Sequence, residues 1–198
     1  MKTRGARIFA AGLLSAAATA LLAAAGPTRG HGAYPDKPPL AHTGGFGEPT
    51  CLQCHVGGEP NAAGGTLAIT GVPASYRPGE TYRLTVRMAR PEMVTGGFQL
   101  SARFAAGAAA GRQAGALRAV DGRAQVAVDS TSGVQYASHT KPGTEQTAHW
   151  VTEWALDWTA SAEGSVAVIF HLAANSTNGD ESPIGDFVYW TQVTSRGP

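Results

Sequence analysis

The stretch "PTCLQCHVGG", residues 49 to 58, holds both cysteines of the chain, three positions apart, with a histidine directly after the second. That spacing is the minimal signature of covalent haem attachment. Two cysteines one tight turn apart present both sulfurs to the two vinyl groups along one edge of a porphyrin, and the imidazole that follows can reach the iron from below. On this reading Cys51 and Cys54 form the thioethers and His55 is the proximal ligand. Competing chemistries find less support. A zinc site needs four N, S or O ligands, usually from a second such pair, and His31, His42, His139, His149 and His171 form no such pair. A thioredoxin-type redox motif belongs after a strand in a βαβ setting, whereas this motif sits between "GPTRGHGAYPDKPPLAHTGGFGEP" and "GGEPNAAGG", both crowded with Gly and Pro. A plain local disulfide remains open.

A haem held in this way has a second axial position. Six-coordinate iron transfers electrons with little rearrangement, while an open position admits ligands. His139, in "YASHTKPGT", is placed by the pattern on a loop entry between strands, where a ligand can be offered without breaking a sheet ladder. Met93, just after Pro91 in a turn, and His171 are the alternatives. Met88 lies on the apolar face of its strand and reads as core; His149 reads as solvent-facing, and His31 and His42 belong to the irregular N-terminal segment.

The elements that must position these residues follow from hydropathy. "MKTRGARIFAAGLLSAAATALLAAA" sets Lys2, Arg4 and Arg7 before an Ala- and Leu-rich run, the layout of a secretory signal peptide over residues 1–25. Ala23 and Ala25 place the cut after Ala25, with Ala33 as a second choice. The run is barely long enough to span a bilayer and lacks a stop-transfer flank, so the mature chain is expected to have no membrane span and to be periplasmic or extracellular. Losing three basic residues leaves twelve basic against fourteen acidic ones. With no basic stripe or Lys/Arg run, nucleic acid is set aside as a partner. Two cysteines do not make an exported disulfide scaffold.

Residues 26–65 read as an irregular segment carrying the CxxCH motif, and residues 66–198 as a β-sandwich domain. In "TYRLTVRM" the apolar Tyr82, Leu84, Val86 and Met88 alternate with Thr81, Arg83, Thr85 and Arg87, and "FQLSARF" sends Phe98, Leu100, Ala102 and Phe104 inward with Gln99, Ser101 and Arg103 outward. Further strands are expected in "TLAIT" (66–70), "AQVAVD" (124–129), "HWVTEWALDW" (149–158), "SVAVIFHL" (165–172) and "DFVYWTQVT" (186–194). "AAGAAAGRQAGALRA" (105–119) reads as a loop or a short helix. The expected class is all-β, an antiparallel Ig-like sandwich of about seven to nine strands.

From about Thr43 to Thr194 the chain resembles the bacterial Reeler-like, choice-of-anchor V domains of haem type. The blocks that carry the likeness are "HTGGFGEPTCLQCH", "ITGVPASYRPGETYRLTV", "GFQL", "SHT", "WALDWTA" and "AANSTNGDESPIGDFVYW", in that order. The resemblance implies a secreted β-sandwich with one haem c, and in that family a His-Thr pair recurs where His139 and Thr140 stand, which implies His139 as distal ligand. The chain departs from the pattern in "WTASAEG", which lacks a following proline, in His171, which stands where an aromatic is usual, and in carrying no sorting tail after Thr194.

The expected function is an exported monohaem c-type cytochrome that passes single electrons between redox partner proteins, not a catalyst. The alternative is a secreted Reeler-like binding or adhesion module whose haem or disulfide is structural. A third reading leaves the sixth position open, as in a gas or peroxide sensor or enzyme. "NSTNGDESPIGD" gathers Asn175, Asn178, Asp180, Glu181 and Asp186, oxygen donors of the kind calcium takes. The spacing is not that of an EF-hand, and an ordinary turn is the expectation.

Overall fold

The computed structural model describes residues 34–162 and 165–198. The expected leader, its cut after Ala25 or Ala33, and His31 lie outside the described residues. Nine strands follow one another: β1 (Thr66–Thr70), β2 (Thr81–Ala89), β3 (Thr95–Phe104), β4 (Ala116–Ala119), β5 (Ala124–Val128), β6 (Gln135–His139), β7 (Val151–Thr159), β8 (Val168–Thr177) and β9 (Phe187–Ser195). They form a four-stranded sheet, β1-β2-β7-β4, and a five-stranded sheet, β5-β6-β3-β8-β9. Every pairing within them is antiparallel, so the chain is the expected all-β sandwich.

The inner faces carry the alternating apolar residues. Leu84, Val86 and Met88 of β2 and Trp154, Leu156 and Trp158 of β7 meet Phe98 and Leu100 of β3 and Phe170 and Leu172 of β8, all of them buried. Each such side chain withdrawn from water is worth about 1.5–3 kcal/mol. The two indole N–H groups are satisfied inside: Trp154 Nε1 donates to the Gly143 carbonyl at 2.8 Å and Trp158 Nε1 to that of Ala114 at 2.9 Å.

Three expectations of local structure need correction. The strand expected from His149 starts at Val151, because Trp150 adopts φ 62° and the Val151 N–H returns to the Ala148 carbonyl at 2.9 Å, a tight turn in place of extended chain. The 105–119 stretch contains a 3-10 turn, Gly107–Ala109, and then β4, whose Leu117 is buried. His139 is the last residue of β6, not a loop residue.

The central strands of the five-stranded sheet are covered on both faces, at β3 and part of β8. Gln99, Ser101 and Arg103 point outward as expected, yet they are 2%, 0% and 5% exposed, because residues 34–58 form a strap over them. Polar pairing fixes this strap. The His42 N–H donates to Gln99 Oε1 at 2.7 Å and Gln99 Nε2 to the Pro39 carbonyl at 2.8 Å. Glu48 accepts from Thr43 Oγ1 at 2.6 Å, from the Tyr136 hydroxyl at 2.5 Å and from Arg103.

Candidate functional site

The strap brings the CxxCH motif to the sheet as a 3-10 turn, Cys51–Gln53, whose N-cap Thr50 accepts the Leu52 N–H through Oγ1 at 3.3 Å. The N–H groups of Cys54 and His55 both return to the Cys51 carbonyl, at 3.1 and 2.9 Å. With three residues per turn, side chains at i and i+3 eclipse, so Cys51 and Cys54 stand on one side of the turn. Both are free thiols. Desolvation, reinforced by the neighbouring Cys54 and opposed by a backbone hydrogen bond, pushes the Cys51 thiol up to about 12. It is a neutral thiol at physiological pH.

Cys51, Cys54, His55 and His139 line one cavity of about 410 Å³. Its other walls come from Tyr34 to Pro39, from the start of β3 at Gly96 and Gly97, and from the segment that follows β8. His139 arrives from β6, the neighbour of β3. The register of β6 on β3 covers only Leu100↔Ala137 and Gln99↔Ser138, which frees the next β3 backbone groups. The His139 ring takes them instead: Nδ1 lies 3.1 Å from the Phe98 nitrogen and 3.3 Å from its carbonyl, and Nε2 lies 3.2 Å from the Tyr34 carbonyl. With the proton on Nε2 the ring donates to the Tyr34 carbonyl and accepts the Phe98 N–H; ligation through Nε2 takes the other tautomer, in which Nδ1–H donates to the Phe98 carbonyl and the bond to Tyr34 is given up. Desolvation, more than a nearby His55 charge, holds the His139 pKa below the ordinary imidazole value, so the ring is neutral, as metal ligation requires.

Met93 and His171, the alternatives for the distal position, do not line the cavity. Met93 is 2% exposed in the sandwich core, because the turn after Pro91 folds its side chain inward. His171 lies on the outer face of β8 under Phe46, ring centroids 5.3 Å apart, and its Nδ1 has no partner. Burial, and then the Arg103 charge, hold its pKa below the ordinary value. Above about pH 6.5 the ring is neutral both folded and unfolded and has no effect on the pH dependence. Below that pH the unfolded chain takes up a proton that the fold refuses, so stability falls as pH falls, by at most about 1.4 kcal/mol per pH unit for one group. His171→Phe is expected to hold stability at pH 8 and to flatten the acid-side loss, read by urea denaturation at pH 8 and pH 5. An unchanged acid limb would show that His171 does not carry it.

His55 has a partner no spacing announced. Its Nδ1 is 2.6 Å from Oδ2 of Asp186, a carboxylate 1% exposed. Asn175 Nδ2 is 3.3 Å from both ring nitrogens and so favours neither. Asp186 is therefore spoken for, and Asn178 and Asp180 of the same stretch bond locally: Asn178 Nδ2 donates to Asp180 Oδ2 at 3.0 Å, and the Asp180 and Ser182 N–H groups bond to Asn178 and Asp180 side chains. That is turn chemistry. Among the described residues no group of three or more His, Cys, Asp or Glu side chains is arranged to hold a metal ion, and no helix is long and apolar enough to cross a membrane.

The residues that could hold a haem c are thus two thiols on one side of a turn and two imidazoles from positions 84 residues apart, all on one cavity. No protein-family model and no curated protein matches the chain. Among solved structures, the chain is similar to the Reelin-N domain of F-spondin, at 19% identity and a TM-score of 0.48, over 75% of this chain and 95% of that one. It is similar also to a human F-spondin reeler domain, at 20% identity and a TM-score of 0.45 over 71% and 95%. A third is AvmM, which catalyses macrocyclization in alchivemycin A biosynthesis, at 13% identity and a TM-score of 0.40 over 73% and 97%. At these identities and scores the likeness says nothing about what the chain does.

Proposed function

We propose that the cavity binds one haem c, joined through Cys51 and Cys54, with His55 as proximal and His139 as distal ligand, and that the protein is an exported one-electron carrier, not a catalyst. One observation carries this reading: His139 and the CxxCH turn, remote in sequence, converge on the same cavity. Haem bound there would supply a one-electron couple. The chain's own part is to present two sulfurs from one turn, to offer a neutral imidazole at His139, and to wall one side of the cavity with the strap from Tyr34 to Pro39. Two nitrogen ligands set a lower potential than a methionine would. The partners it implies are redox proteins in the periplasm or outside the cell.

What the fold by itself supports is the second reading, a secreted Reeler-like binding or adhesion module in which haem or a disulfide is structural. The sandwich needs no redox centre, and Val56 and Ile184 stand exposed beside the cavity at 62% and 70%. The test is a reduced-minus-oxidised spectrum with a pyridine haemochrome, on full-length protein exported with a cytochrome c maturation system. Sharp α and β bands that survive acid-acetone extraction, and their loss in Cys51→Ser/Cys54→Ser, are expected. His139→Ala should convert low-spin to high-spin haem. A colourless protein would sink the carrier in favour of the binding module, and a high-spin wild type would favour the open-site sensor or enzyme.

A further inference from the structure

Asp186 is a buried carboxylate whose Oδ2 meets the His55 Nδ1 at 2.6 Å and whose Oδ1 accepts the Asn178 backbone N–H at 3.3 Å. His55 is its one partner among the described ion pairs. A carboxylate taken out of water is costly unless its partners are firmly placed, and here the backbone places them. The Val56 N–H donates to the Pro183 carbonyl and the Gly185 N–H to the Val56 carbonyl, both at 2.7 Å. That single parallel bridge, Val56↔Ile184, joins the residue after His55 to the residues just before Asp186. Beside it Gly57 lies so close that a Cβ would sit 2.1 Å from the Asp186 carbonyl oxygen, an approach only glycine allows. A contact spanning 131 residues is thus stitched by main chain on both sides.

We infer that Asp186 is the positioning residue of His55: its carboxylate takes the Nδ1 hydrogen bond, fixes the ring's tautomer and plane, and leaves Nε2 as an electron-rich ligand atom. A carboxylate behind a ligating imidazole raises its basicity and fixes which nitrogen binds. The consequence for potential rests on the haem reading. Negative charge on the proximal side favours the oxidised centre, so the couple is held lower than a histidine pair alone would hold it.

Asp186→Asn keeps the shape and one acceptor oxygen and removes the charge. In the exported, full-length holoprotein, spectroelectrochemical titration of the variant should show the reduction equilibrium shifted about tenfold toward the reduced form, a rise of about 59 mV for one electron. Asp186→Glu should recover part of the lower potential. An Asp186→Asn potential unchanged within about threefold in that equilibrium, roughly 30 mV, overturns the inference while leaving the haem assignment intact. Should that variant fail to accumulate, long-range ¹H–¹⁵N spectra of the wild-type full chain made without haem, at pH 8, decide the contact. The Nδ1–H tautomer of His55 is the expected result, and the Nε2–H tautomer overturns it. A wild type exported without haem overturns the carrier reading and the effect on potential together, and the tautomer still decides whether Asp186 orders His55.

Discussion

Glu48→Ala is expected to lower the stability of the protein by about 3–5 kcal/mol, the cost of breaking a buried ion pair from one side. The Glu48 side chain is 11% exposed and that of its partner Arg103 6%. The carboxylate holds three groups at once, on the strap through Thr43, on β3 through Arg103 and on β6 through the Tyr136 hydroxyl. Its removal strands a guanidinium whose Nε already has no partner. The matched double variant Glu48→Leu/Arg103→Met should recover most of the loss, since replacing a buried pair by apolar residues of similar volume is often neutral or favourable. Urea denaturation of wild type, single and double variants measures both. A single variant within about 1 kcal/mol of wild type would mean that water reaches Arg103 and that the strap is not anchored there. The strap also supplies the cavity wall from Tyr34 to Pro39, so the same substitution should loosen whatever the cavity holds.

The strap explains which parts of this molecule the sequence makes legible. Alternation in β2 and β3 assigns each side chain to its correct face, because period two is a local property of extended chain. It cannot say what covers the outer face, so Gln99, Ser101 and Arg103 read only as outward-facing, and their sealing under residues 34–58 is not legible. The CxxCH turn is equally local: one N-cap and two returns to the Cys51 carbonyl shape it within six residues. β6, "QYASH", carries little strand pattern, its five residues including a weak β-former, Ala, so the pattern alone places His139 on a loop. Asp186 carries no signal at all. It sits among turn-forming Asn, Gly and Asp residues, where an ordinary turn is the natural reading. Only the parallel bridge at Val56 and Ile184 shows that its carboxylate serves His55.

Gly97→Val is expected to disable the distal side of the cavity while leaving most of the sandwich in place. A Cβ on residue 97 would lie 2.8 Å from Cε1 and 3.0 Å from Nδ1 of His139, and 2.6 Å from Oδ1 of Asn175. Real Cβ contacts are longer, so one of these two side chains has to move. Asn175 is paired in register opposite Gly97 on β8, which fixes its backbone, whereas His139 ends its strand and is the freer of the two. Displacing the ring takes away the Nδ1 partner of the Phe98 backbone, a buried hydrogen bond whose loss costs about 1–3 kcal/mol, with crowding adding a similar amount. In haem-loaded protein the outcome should follow His139→Ala: a shift from low-spin to mostly high-spin iron and binding of added cyanide that the wild type resists. Stability should fall by about 2–6 kcal/mol, comparable to the Glu48→Ala loss. A low-spin spectrum unchanged in Gly97→Val but lost in His139→Ala would mean that the ring swings aside without leaving the iron, so that Gly97 clears space without fixing the ligand. Low-spin spectra in both variants would remove His139 from the site altogether.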